Sequence, residues 1–113
     1  MAYNVNMKKV EVFKLNNGKI PLQDWLDSVK DKPTKARILE RIKRLSSGNL
    51  GDYKKLDFEL SELRLQFGAG YRIYFSEIDN IIVLLISGGD KSTQTKDIQK
   101  AKEYLTIYKE SNK

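Results

Sequence analysis

Between Leu60 and Ser87 the chain carries three consecutive strand-length runs, Leu60 to Phe67, Tyr71 to Glu77 and Ile81 to Ser87. Only Gly68-Ala69-Gly70 and Ile78-Asp79-Asn80 separate them. Connections this short join antiparallel neighbours, so the segment reads as a three-stranded meander, and any fold must be built around it. The third run is apolar on both faces, unlike the other two, so it needs a cover on each side.

The remaining segments supply those covers. Lys8 to Leu15 is a first strand, turned by Asn16-Asn17-Gly18. From Pro21, the residues Leu22, Trp25, Leu26 and Val29 recur at i, i+3, i+4 and i+7, which predicts a short amphipathic helix with proline in its first turn, ended by Asp31-Lys32-Pro33. A second helix is expected from Thr34, as N-cap or first-turn residue, to about Ser46, with Ile38, Leu39, Ile42 and Leu45 as its apolar stripe. Residues 47–52 read as a loop. A last helix from about Thr93 to Lys109 carries Ile98, Ala101, Leu105 and Tyr108 on one stripe, and Glu110 to Lys113 reads as frayed. The expected order is β-α-α-β-β-β-α, an α+β fold with two early helices on one face of an antiparallel-meander sheet and the C-terminal helix on the other. At 113 residues with one candidate core, residues 1–113 are expected to form a single domain. No apolar run exceeds Ile81 to Ile86 and the first twenty residues lack an apolar signal core, so the expected location is cytoplasmic, with no membrane partner.

The chain has no cysteine and no histidine, which excludes disulfides, thiolate nucleophiles, imidazole bases and a Cys/His zinc cage. Its formal net charge of +6 invites a polyanionic or acidic partner. The charge is uneven. Residues 30–44 hold seven Lys/Arg (Lys30, Lys32, Lys35, Arg37, Arg41, Lys43, Arg44) against Asp31 and Glu40, a net +5, whereas residues 45–90 are net −3, with four cations against seven anions. The basic second helix is either a solvated face or a surface for phosphates or an acidic partner.

A three-residue Gly68-Ala69-Gly70 hairpin pairs Gln66 with Arg72 and Arg64 with Tyr74. Alternation then puts Glu62, Arg64, Gln66, Arg72 and Tyr74 on one polar face and Leu63, Leu65, Phe67, Tyr71, Ile73 and Phe75 on the core face. The polar face reads either as a site or as a solvent face on which Glu62 neutralises an arginine. After the third strand, Ser87-Gly88-Gly89-Asp90-Lys91-Ser92-Thr93-Gln94 puts a glycine pair, a cation and hydroxyls at a helix start, a setting that suits phosphate. It also serves as a plain strand-to-helix turn capped by Ser92 or Thr93, and its spacing is not that of a Walker motif.

Leu60-Ser-Glu-Leu-Arg64, Phe67-Gly-Ala-Gly-Tyr71-Arg72-Ile-Tyr74-Phe and Gly88-Gly-Asp-Lys91-Ser-Thr-Gln94 resemble the RelE/ParE toxin superfamily. More narrowly, they resemble its phage-derived "addiction module killer protein" branch, close to the HigB-type toxins. The likeness extends over Trp25 to Ser28, Arg37 to Asp52 and the Asp97-Ile98…Ala101 helix, nearly the whole chain. It implies a RelE-like fold and a toxin of a type II toxin–antitoxin system, held inactive in a hetero-oligomer by a helix-turn-helix antitoxin. The implied activity is cleavage of mRNA on the ribosome without metal or cofactor. It implies Arg64, Arg72 and Lys91 as catalytic residues and Lys54 and Lys55 as phosphate-binding ones, with Tyr104, Tyr108 or Lys109 as a further C-terminal contribution; Glu62, Tyr74 and Gln94 are further substrate-binding candidates. In that reading Arg64 and Arg72 clamp the scissile phosphate, Lys91 moves a proton, Glu62 is a competing base and Tyr74 orients the 2′-hydroxyl or stacks on a base. The alternatives are a DNA-gyrase poison of the same fold and an RNA-binding module without turnover.

Overall fold

The computed structural model describes residues 9–79 and 82–112. Lys8 of the first strand, Asn80 of the second turn, Ile81 of the third run and Lys113 of the tail lie outside the described residues. The elements are β1 (Lys9–Val12), α1 (Pro21–Ser28), α2 (Lys32–Leu45), β2 (Tyr53–Lys55), β3 (Ser61–Leu65), β4 (Tyr71–Ile78), β5 (Ile82–Gly89), a 3-10 turn (Lys91–Thr93) and α3 (Gln94–Ser111). Among the described residues no helix is long and apolar enough to cross a membrane.

The architecture is α+β around one five-stranded sheet of order β1-β5-β4-β3-β2. β3, β4 and β5 form the expected meander. The sheet is nonetheless mixed, because β1 runs parallel to β5, with Val10 beside Val83 and Val12 beside Leu85. A strand absent from the expected order, β2, pairs antiparallel with β3 along the far edge. Its three residues are exposed, so it carries no apolar alternation for a sequence reading to detect.

β5 is sandwiched, as its two apolar faces demand. Leu63, Leu65, Ile73, Phe75, Val83 and Leu85 pack with Leu22 and Leu26 of α1 and Ile38 and Leu45 of α2. On the opposite side Leu60, Tyr74, Leu84 and Ile86 pack with Phe13 and with Ala101 and Leu105 of α3. A bulge on β5 makes the second layer deeper: Tyr74 pairs with Ser87 and Phe75 with Leu85, so Ile86 is the extra residue.

The β3–β4 register differs from the expected one by two residues. Arg64 lies opposite Arg72 and Glu62 opposite Tyr74, leaving Gln66 to Gly70 as a five-residue loop. Gly68 and Gly70 both take positive φ, 56° and 74°, and Phe67 leaves the ladder to stack against Tyr71 at 5.6 Å. A two-residue slip preserves side-chain facing, so the division into two faces holds although the partners change. The cap of α2 also moves upstream. Asp31 is the N-cap, accepting from Thr34 N at 3.1 Å and Thr34 Oγ1 at 2.6 Å, so Thr34 sits in the first turn.

α1 is seated on β5 through Trp25, which lies against Gly88. A Cβ at Gly88 would collide with the indole ring. Gly88→Ala is expected to destabilise by about 1–3 kcal/mol through this overpacking, read as a lower urea midpoint with unchanged m-value. An unchanged midpoint would show that Trp25 does not rest on this strand.

Candidate functional site

Three elements meet at one end of the sheet: the β3–β4 loop, the end of β5 with its 3-10 turn, and the first turn of α3. The 3-10 turn is built by Asp90, whose carboxylate accepts from Ser92 N at 2.8 Å and Ser92 Oγ at 2.6 Å, with Thr93 completing a capping box. Asp90 caps the 3-10 turn, and Thr93, one of the two expected caps, occupies the N-cap position of α3 without a side-chain capping bond. Lys91 N donates to Ala69 O at 3.3 Å, which ties the turn to the β3–β4 loop. A Cβ on Gly70 would lie 3.2 Å from Lys91 Cβ and 3.8 Å from Arg72 Nη1, so Lys91 and Arg72 flank this glycine. Together with the loop they line a cavity of about 440 Å³.

Arg72 is held from behind. Its Nε lies 3.6 Å from Glu62 Oε1, and Nη1 donates to Gly70 O at 3.3 Å. Glu62 Oε2 accepts from Gln94 Nε2 at 2.7 Å, so α3 supports the carboxylate that supports the guanidinium. Residue exposure is 1% for Glu62 and 9% for Arg72. A pair this buried gains Coulomb energy in a low dielectric but gives up the hydration of both ions, so its main effect is to fix position. Arg72 Nη2 has no partner among the described residues, and the side chain lines the cavity.

The structure thus joins Glu62, Arg72, Lys91 and Gln94, but not in the roles expected for all of them. The polar face of β3 and β4 is no solvent face, because α3 covers most of it. Glu62 is sealed from a substrate hydroxyl and acts behind Arg72, not as a base. Tyr74 is wholly buried among Leu84, Ile86 and Ala101 and has no open ring face for a nucleobase. Burial, followed by the Glu62 and Asp97 charges, pushes its phenol above its ordinary value, so the hydroxyl stays protonated. Among the described residues neither Tyr74 Oη nor Oγ of its register partner Ser87 has a hydrogen-bond partner.

Arg64 faces Arg72 in register, yet its side chain turns to Asp52, Nη2 to Oδ1 at 3.2 Å, with Gln66 Nε2 on Oδ2 at 2.9 Å. The hydrogen bonds from Gln66 and then Arg64 hold the Asp52 carboxyl below the usual range. Two arginines clamping one phosphate is therefore not the arrangement observed: Arg72 belongs to the Lys91 cavity and Arg64 to a groove against α2. Lys54 and Lys55 lie exposed on edge strand β2, opposite Glu62 and Ser61. Lys109 is fifteen residues beyond Gln94, about 22 Å along the helix. There it pairs with Glu59, while Tyr108 donates to Glu11 at 3.1 Å and Tyr104 stacks on Phe13 at 5.2 Å. These three side chains belong to the opposite end of the sheet.

Sequence reasoning placed Arg37, Arg41 and Arg44 on a basic helix but did not join them to Arg64. Their i, i+4, i+7 spacing marks one helix face; which part of the sheet that face meets depends on the β2–β3 edge.

Glu62→Gln is expected to cost about 3–5 kcal/mol, because it strands the Arg72 charge, measured by urea unfolding; a loss under 1 kcal/mol would deny the pairing. Tyr74→Phe deletes an unsatisfied hydroxyl and is expected to be neutral, or stabilising by up to about 1 kcal/mol, at pH 7. The sign of the pH effect follows from the raised phenol: Tyr74 contributes fully below the unfolded value near 10, and its contribution is lost as pH rises toward the folded value. The phenylalanine variant should therefore lose less stability between pH 9 and pH 11, a comparison that equal losses would overturn.

No protein-family model matches the sequence. A protein of Haemophilus influenzae, described only as uncharacterized, is 46% identical over 83 residues, which span 74% of this chain and 84% of that protein.

Proposed function

We propose that this chain, which belongs to one family with the Haemophilus influenzae protein, is a type II toxin: a metal-independent endoribonuclease that cuts mRNA on the translating ribosome and is restrained by a helix-turn-helix antitoxin. The observation that carries this reading is the Arg72 guanidinium, locked by Glu62 and Gln94 and presented with Lys91 to an open cavity. The likeness of the loop and turn motifs to HigB-type toxins of the RelE/ParE superfamily supports the same reading.

The chemistry follows from the residue types. The 2′-oxygen of the substrate attacks the adjacent phosphorus and the bond to the 5′-oxygen breaks, leaving a 2′,3′-cyclic phosphate and a free 5′-hydroxyl. Arg72 stays charged throughout and neutralises the phosphorane oxygens through its free edge. The Lys91 ammonium gives its proton to the departing 5′-oxygen, and water takes the proton of the 2′-hydroxyl. Lys54 and Lys55 on the β2 edge meet flanking phosphates. Such a set is weak, and suffices where the ribosome holds mRNA in line, since positioning alone supplies on the order of 7–11 kcal/mol. Free RNA is then a poor substrate.

The test is induction of the chain in cells with transcript 5′ ends mapped. Cuts inside translated regions that vanish when translation is blocked are expected. Lys91→Gln, an exposed change that spares the buried pair, should lower cutting by about 10²-fold or more. Growth arrest with intact transcripts would transfer the reading to DNA gyrase, and absence of arrest would leave an RNA-binding module.

A further inference from the structure

The α2–β3 edge holds a second concave site, a groove of about 450 Å³ into which Arg37, Arg41, Arg44 and Arg64 converge. We infer that this groove binds the phosphodiester backbone of single-stranded RNA, as an anchor beside the Arg72–Lys91 cavity, with which it shares Gln66 and Phe67. The inference rests on the reading of the chain as an RNA-acting protein and adds to it a site and its ligand.

Arg64 is paired with Asp52, whereas Arg37 and Arg41 are held by neutral groups. Arg41 donates Nη2 to the carbonyls of Leu50 at 2.7 Å and Asp52 at 3.4 Å, neutral acceptors that fix the guanidinium. The fit is close, since a Cβ on Gly51 would strike the Arg41 guanidinium. Arg37 is fixed over the Phe67 ring at 3.7 Å, again by a neutral partner. Arg44 makes no ion pair among the described residues, and Asp52 is committed to Arg64 and Gln66. Glu40 is the other carboxylate on the groove, so four guanidinia meet two carboxylates. Burial and then the Arg44 charge lower the pKa of Arg41, against the opposing pull of the Asp52 carboxylate. Arg41 Nη1 and Arg64 Nε also lack acceptors.

The ligand class follows from the spacing and from the stack. Arg37, Arg41 and Arg44 lie along one helix line over about 10 Å, which suits a polymer charged at every repeat; the exposed Arg37 and Arg44 can each grip a phosphate through guanidinium nitrogens, while Arg41, with Nη2 on carbonyls and Nη1 enclosed, adds fixed charge. Arg37 is exposed with its guanidinium carbon over the Phe67 ring, so an unstacked base can pack on its outer side. An acidic peptide would use the charges but not the stack.

The test uses the full chain and a fluorescein-labelled 2′-O-methyl RNA oligonucleotide. This probe lacks the nucleophile for cleavage, so the result stands apart from nuclease activity. If the groove fails here, cutting at Lys91 is untouched as a claim; if no transcripts are cut, RNA binding by the groove can still be seen. Arg37→Gln/Arg44→Gln is expected to weaken binding about tenfold or more and to make the log–log salt dependence shallower by about 1.4, the value for two phosphates of a single strand left unneutralised. Arg44→Gln alone, at a side chain with no ion pair among the described residues, should give about half that change in slope. Lys32→Gln/Lys43→Gln removes the same charge from α2 outside the groove and should leave the slope near its original value. Equal slope changes for the two double variants would overturn the inference in favour of diffuse attraction. Displacement of the RNA by a polyglutamate peptide at lower concentration than by unlabelled RNA would overturn it in favour of an acidic protein partner.

Discussion

The structure depends on β5, a strand apolar on both faces, being buried from both sides. Val83 and Leu85 face α1 and α2, while Leu84 and Ile86 face α3. A strand of this kind has no stable exposed state in water, so the C-terminal helix must lie across the sheet and cannot trail away as an appendage. The bulge that makes Ile86 an additional inward residue strengthens that requirement.

Covering the second face has a chemical consequence. β3 and β4 put Glu62, Arg72 and Tyr74 on the side that α3 occupies, so groups that would be solvated on an open sheet are enclosed. Glu62 remains tolerable inside because Arg72 and Gln94 meet its two oxygens. The outcome is one guanidinium set against Glu62 by charge, at 3.6 Å and with Nε making no hydrogen bond among the described residues, while Nη1 lies at Gly70 on the cavity wall. The same helix that completes the core thereby orients the charge beside Lys91.

The second site has a different origin. α2 is amphipathic, with Ile38 and Leu45 inward and arginines along its flank, and Asp52 with the end of β3 lines the groove beside it. The loop at Leu50 to Asp52 must wrap Arg41 to lead into β2, which is why a glycine with φ of 60° stands at position 51. Two basic surfaces result, each confined by backbone and not merely clustered on an exposed face.

Much of this was determined by the sequence alone. The meander, the two early helices, the cover on the far face, the inward set Leu63, Leu65, Ile73 and Phe75, and the exclusion of imidazole and thiol chemistry all follow from local pattern and composition. Period-2 and period-3.6 alternation record which side of an element meets the core. The parallel docking of β1 on β5, the edge strand β2, the two-residue register of the β3–β4 hairpin and the burial of Glu62 and Tyr74 were decided only in the tertiary structure. Strand partners and loop length are set by long-range packing, here by Phe67 leaving the ladder for Tyr71 and Arg37. Whether a polar face is solvent or interior depends on what lies over it. Arg64 and Arg72, facing partners on adjacent strands, serve different sites for the same reason: Asp52 waits at one edge and Glu62 beneath α3.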